Sequence, residues 1–252
     1  MLHIAGQDFP SRLLLGSAGY PNQQSLLDAI MQAKPAMVTL AIRRISLQAY
    51  AESLTDLLDG QFLLPNTAGC ATVKDAVLTA QLGREALETD WVKLELIGDR
   101  ETLLPDSELL LRATEILVRE GFNVMPYCID DPVMCRKLAD AGAVAVMPLG
   151  APIGTGLGIL NPYNIERICA ASAVPVILDA GIGTASDATL AMELGCAAVL
   201  LNTAIARAHN PPLMAAAMRD AVAAGFAARE AGRIPRQMQA QASSPQLGLV
   251  GS

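Results

Sequence analysis

The stretch Trp91-Val92-Lys93-Leu94-Glu95-Leu96-Ile97 alternates apolar and charged residues. At the two-residue period of a β-strand, Val92, Leu94 and Leu96 share one face, and Lys93 and Glu95 share the other. An apolar face that packs against helices leaves the two charges pointing into the centre of a sheet closed on itself. Such a placement is costly unless the charges are paired or used. Two residues of strand separate the Lys93 and Glu95 backbones by about 6.6 Å, close enough to share a substrate but long for an ideal ion pair.

Seven further apolar runs recur along the chain, at Arg12–Gly16, Met37–Ala41, Phe62–Pro65, Asn123–Tyr127, Ala143–Met147, Val174–Asp179 and Ala197–Asn202. Each reads as a parallel strand buried on both faces. Between and after them lie stretches with charges at helical spacing, at Leu26–Ala33, Leu47–Leu58, Thr72–Leu87, Asp106–Glu120, Pro132–Ala141, Pro162–Ala171, Ala185–Leu194 and Pro211–Ala231. Several open on proline, which suits a first helical turn, and Ser46 and Asp131 stand where a cap is needed. Eight strand–helix units in 252 residues match a (β/α)8 TIM barrel. A doubly wound open sheet is the alternative, but its early G-x-G-x-x-G turn is missing, since Gly16-Ser17-Ala18-Gly19 lacks the spacing. One domain over 1–252 is expected, with Met1–Phe9 as a strand or hairpin plugging the barrel floor. From about Arg233 onward (233–252) the Gln-, Ser- and Pro-rich chain reads as a flexible tail or lid.

Composition narrows the function. Hydrophobic residues make up 52% of the chain and charged residues 17%, which excludes a disordered chain. A net charge of −7 with no basic block argues against nucleic acid. The uncharged stretch Ala141–Ile165 is broken by Pro148, Pro152 and four glycines, so no membrane span is expected, and the N-terminus does not read as a signal peptide. Cys70, Cys128, Cys135, Cys169 and Cys196 form no C-x-x-C pair and read as reduced thiols of a cytoplasmic protein. His3 and His209 have no neighbouring ligands, so no metal site is expected. A small-molecule enzyme is the leading class.

Barrel enzymes carry their sites at the C-terminal ends of the strands, with a phosphate often held by the loops after strands 7 and 8. Those loops here are Asp179-Ala180-Gly181-Ile182-Gly183-Thr184 and Asn202-Thr203-Ala204, and Gly150-Ala151-Pro152-Ile153-Gly154-Thr155-Gly156 follows strand 6. Backbone amides could cradle an anion there without any Lys or Arg. Tight turns alone would also account for the glycines. Lys93 is a candidate Schiff-base former, with a structural Lys–Glu pair as the plain alternative. Burial lowers its pKa and an ionised Glu95 raises it, and the sequence does not decide between them. Asp179, at the end of strand 7, is a candidate acid or base. Arg43-Arg44 are either surface charges or an anion contact.

The chain resembles bacterial thiazole synthase, the family that builds the thiazole ring of thiamin. The resemblance rests on Ser11–Gly16, Leu64-Pro65-Asn66-Thr67-Ala68-Gly69, Val92-Lys93-Leu94-Glu95, Leu103-Leu104-Pro105-Asp106, Met147–Gly154, Val176–Gly183, Leu200-Leu201-Asn202-Thr203-Ala204 and Ala242-Ser243-Ser244-Pro245, in order and nearly end to end. It implies a (β/α)8 barrel, usually a cytoplasmic homotetramer, with Lys93 as the Schiff-base lysine and Glu95 and Asp179 as acid/base carboxylates. Sugar-phosphate contacts would fall on Gly154, Ala180, Gly181, Asn202 and Thr203, with Gly183 close by. The implied substrates are 1-deoxy-D-xylulose 5-phosphate and dehydroglycine, with sulfur from the C-terminal thiocarboxylate of a ubiquitin-like carrier protein and no metal or organic cofactor. The family commonly reads Gly-Thr-Gly-Lys-Tyr after the first strand; here Gly16-Ser17-Ala18-Gly19-Tyr20 lacks that lysine. Two other readings compete: a different sugar-phosphate barrel enzyme using the same lysine, and a scaffold that only binds the carrier.

Overall fold

Parallel strands buried on both faces need helices outside and side chains inside, and the chain supplies both. The structure, a computed structural model, describes residues 1–42 and 55–244. An antiparallel hairpin, β1 (Leu2–Ile4) and β2 (Gln7–Phe9), precedes eight parallel strands. These are β3 (Leu13–Gly16), β4 (Met37–Ala41), β5 (Leu63–Asn66), β6 (Trp91–Leu94), β7 (Asn123–Cys128), β8 (Met147–Pro148), β9 (Ile177–Asp179) and β10 (Ala198–Leu201). Hydrogen bonding runs β8-β7-β6-β5-β4-β3-β10-β9. Two parallel bridges, Val146 to Val176 and Leu149 to Asp179, join the β8 segment to β9 and close the ring. The fold is therefore the expected (β/α)8 barrel.

Helices lie outside the ring, at Gln23–Ala33, Val73–Leu87, Ser107–Arg119, Pro132–Asp140, Pro162–Ala171, Ala185–Glu193 and Pro211–Ala231. Three of them start from one local device. Asp131, Asn161 and Asn210 each stand just before a proline and accept a backbone N–H from Val133, Asn164 and Leu213 respectively. The proline occupies a position whose missing N–H costs nothing. Of the helix expected at 47–58, residues 55–57 are helical. Arg43, Arg44, Ser46 and the rest of that stretch lie outside the described residues, as does the tail beyond 244. Residues 233–244 are exposed and carry no helix or strand.

Alternation along the strands divides the core in two. Val92, Leu94 and Leu96 pack with Leu110, Ala113 and Leu117 between sheet and helices. Leu14, Met37, Leu64, Trp91, Met125, Met147, Ile177 and Leu200 fill the barrel interior with Leu2, Ile4 and Phe9 of the hairpin. The hairpin thus plugs the barrel, as expected. Phe9, Phe62 and Trp91 meet edge to face, with ring centroids 5.2 to 6.0 Å apart. Arg12 holds the plug in place by donating to Met1 O and Ala197 O while its guanidinium stacks on Phe226.

Only Met37–Ala41 keeps its expected limits, and three of the differences shape the site. The fourth barrel strand stops at Leu94, not Ile97. Beyond it, the Thr67 hydroxyl accepts from Glu95 N at 2.8 Å and donates to Glu95 O at 2.7 Å, taking the place of a strand neighbour. The sixth shrinks from five residues to Met147–Pro148, where Pro148 has no N–H to offer a ladder. After the eighth, Asn202 leaves the strand and opens a short helix, Thr203–Ala206, in place of the expected loop.

Phe9→Ala is expected to destabilise the protein by about 3–5 kcal/mol, because it empties a buried aromatic site in the plug. Urea unfolding of the variant checks this; a change near zero would show that the hairpin does not contribute to the barrel core.

Candidate active site

The C-terminal ends of the strands open into a cavity of about 680 Å³. At its base stand three charged side chains from two strands that are not neighbours in the ring. Lys93, Glu95 and Asp179 are 5%, 7% and 3% exposed. Lys93 Nζ lies 2.6 Å from Asp179 Oδ2 and 3.3 Å from Glu95 Oε1. The long side chains bring Lys93 and Glu95 into an ion pair that backbone spacing alone made look strained. All three line the cavity.

Burial by itself would drive the Lys93 ammonium to give up its proton, but the Asp179 and Glu95 charges outweigh it, and the Lys93 pKa is raised. The Asp179 pKa is also raised. Burial is the main cause and Glu95 adds to it, while Lys93 opposes both. A lysine that holds its proton thus touches a carboxylate that accepts one more readily than usual. The Tyr127 ring centroid lies 5.7 Å from Nζ, within cation–π range. Burial, followed by the Asp179 and Glu95 charges, pushes the Tyr127 phenol up, so it stays neutral.

The upper wall is built from three loops. Ala180 and Gly181 both adopt the left-handed region, with φ of 67° and 86°. A Cβ on Gly181 would stand 2.3 Å from Ala151 N and 2.7 Å from Gly158 O, so only glycine fits where the loops after β8 and β9 meet. Gly158 N donates to Gly181 O at 2.8 Å across that seam. Gly154, Ala180, Gly181, Gly183, Asn202 and Thr203 all line the cavity. The Gly183 and Thr184 N–H groups donate to Asp187 Oδ2, which caps the helix Ala185–Glu193. Those two amides therefore serve the helix start.

Asn202 Nδ2 donates to Ala18 O at 2.9 Å, while its buried Oδ1 has no partner among the described residues. A Cβ on Gly16 would come within 2.5 Å of Asn202 Cβ, so the first strand must end in glycine for Asn202 to sit there. Gly19 is left-handed with open space around it. The sequence reading did not single out four groups at this site. Asn66 pairs in register with Lys93 and lines the cavity; Thr67 fixes the Glu95 backbone; Tyr127 faces Lys93; Arg207 stands on the rim. Asn66 and Thr67 had a signal, as polar residues just beyond an apolar strand. Among the described residues, no group of three His, Cys, Asp or Glu side chains is placed to hold a metal ion, and no helix is long and apolar enough to cross a membrane.

Lys93→Met removes the cation and leaves two buried carboxylates. It is expected to cost about 3–5 kcal/mol near pH 8. Above the ordinary carboxylate range the fold must keep both groups ionised or protonate them at a cost, whereas near pH 5 the raised pKa of Asp179 favours its protonated, folded form. The cost should therefore shrink as pH falls. Denaturant unfolding at the two pH values checks this, and a pH-independent cost would contradict it.

Comparison with known proteins accords with this geometry. The family model of the thiazole biosynthesis protein ThiG matches residues 3–245. The thiazole synthase of Azorhizobium caulinodans is 67% identical over 252 residues, covering 100% of this chain and 95% of that protein. That of Methylobacterium sp. (strain 4-46) is 59% identical over 251 residues, covering 100% and 95%. Among solved structures, the Amycolatopsis orientalis BexX/CysO complex superposes with a TM-score of 0.85 at 32% identity, covering 94% of this chain and 98% of that one. The chain belongs to the thiazole biosynthesis protein ThiG family and is an enzyme, a sulfur-transferring thiazole synthase of thiamin biosynthesis.

Proposed function

We propose that this enzyme forms thiazole phosphate from 1-deoxy-D-xylulose 5-phosphate, dehydroglycine and sulfur carried as the C-terminal thiocarboxylate of a ubiquitin-like protein. The observation that carries the reading is the 2.6 Å contact between Lys93 Nζ and Asp179 Oδ2 at the base of an open cavity. Asp179 takes a proton from the ammonium, and the free amine adds to the ketose carbonyl. Loss of water gives an imine. The imine acidifies the neighbouring C–H bonds, and Glu95 and Asp179 move protons so that the carbonyl migrates along the sugar chain. The thiocarboxylate sulfur then adds to the migrated carbonyl carbon; its bond to the carrier's acyl carbon breaks as that acyl group takes the ketose oxygen, so the carrier leaves as a carboxylate. Dehydroglycine adds in place of the Lys93 amine, and loss of water closes the ring.

Gly154, Ala180, Gly181, Asn202 and Thr203, with Gly183 close by, hold the sugar phosphate. Asn202 Oδ1, without a partner among the described residues, is an acceptor suited to a sugar hydroxyl. Anchoring at the phosphate lets binding energy far from the carbonyl orient the reacting end. The BexX/CysO complex supports a protein partner for this fold. We further read residues 1–252 as one domain with 233–252 as tail or lid, assembled as a cytoplasmic homotetramer; the assembly and compartment rest on the family resemblance.

Borohydride added with 1-deoxy-D-xylulose 5-phosphate should fix the sugar's mass on the peptide that contains Lys93, as read by mass spectrometry. Lys93→Arg should give no adduct. An unmodified Lys93 with label elsewhere would reject the assignment.

A further inference from the structure

We propose that Arg207 is the charged contact for the substrate's phosphate, and that it makes this site prefer a phosphorylated ketose to the free sugar. The inference rests on the reading of the cavity as a sugar-phosphate site. Among the described residues, two cations line the cavity, Lys93 and Arg207. Lys93 is matched by two carboxylates, so the base of the cavity has no positive charge to spare. The Arg207 guanidinium makes no ion pair or side-chain hydrogen bond among the described residues.

Its position is set by the short helix that Asn202 opens. Arg207 N donates to Thr203 O at 3.0 Å, so the two residues stand one turn apart on one face. The Thr203 hydroxyl in turn lies 4.0 Å from where a Cβ of Gly154 would be. Arg207, Thr203 and Gly154 all line the cavity. Two amides that could have answered a phosphate nearby, those of Gly183 and Thr184, are bonded to the Asp187 carboxylate. The amides that remain supply partial charges only, whereas a guanidinium adds a full charge and the paired donors that phosphate oxygens accept. Arg207 would thus add charge to the amide cradle that the glycine loops supply.

The test uses the whole enzyme with Arg207→Ala and Arg207→Lys, both at an exposed position. Calorimetry reads binding of 1-deoxy-D-xylulose 5-phosphate, which does not require the imine. The initial slope of Lys93 trapping against concentration is read for that substrate and for 1-deoxy-D-xylulose. Arg207→Ala should weaken binding of the phosphorylated sugar by about 10- to 100-fold, with Arg207→Lys between it and the wild type. The trapping slope for the free sugar and the trapped fraction at saturation should not change. Unchanged binding of the phosphorylated sugar, or an equal loss for both sugars, would overturn the proposal. So would a loss seen only when dehydroglycine is present, which would give Arg207 to that substrate's carboxylate. A Lys93 adduct with Arg207-independent binding would leave the Schiff-base reading standing; Arg207-dependent binding without an adduct would do the reverse.

Discussion

The structure depends on one ammonium held between two carboxylates inside a closed ring of strands. Removing Lys93, Glu95 and Asp179 from water is costly, and their mutual contacts at 2.6 and 3.3 Å offset that cost only while all three stay in place. The barrel provides the rigidity. Lys93 comes from β6 and Asp179 from β9, with β7 and β8 between them, so the contact exists only if the ring closes. Thr67 clamps the Glu95 backbone where the strand has already ended. The charge cluster and the hairpin plug are two ends of one interior, the lower part filled with apolar side chains and the upper left open for chemistry.

Above that base, the loops are shaped by close backbone approach. Gly181 lies against Ala151 and Gly158, and Gly16 makes room for Asn202. These contacts fix the cavity wall without long side chains, leaving its volume to a ligand. Charge enters the wall sparingly: Asp187 serves a helix start, and Arg207 stands on the rim without an ion-pair partner among the described residues.

Much of the fold was legible because it is written locally. The alternation in Trp91–Ile97 placed Lys93 and Glu95 inward, and proline after Asp131, Asn161 and Asn210 marked helix starts that the structure bears out. The hairpin plug followed from its position ahead of the first barrel strand. What the sequence did not reveal are contacts across the ring. No spacing along the chain announces that Asp179 meets Lys93 more closely than Glu95 does, that Thr67 takes over from a strand neighbour, or that Tyr127 faces the amine. Arg207 carries no signal in the sequence, because only in a helix does it share a face with Thr203. The short β8 was missed because the apolar run from Ala143 hid the effect of Pro148 on the ladder.

The central claim is that Lys93 rests as an ammonium because two carboxylates outweigh its burial. NMR titration of the lysine side-chain resonances, assigned by comparison with Lys93→Arg, tests it directly. A charged Lys93 at neutral pH that keeps its proton beyond the ordinary lysine value of about 10.4, and loses it at lower pH in Asp179→Asn, is the expected result. A Lys93 that is already neutral at pH 7 in the unmodified enzyme would contradict the account.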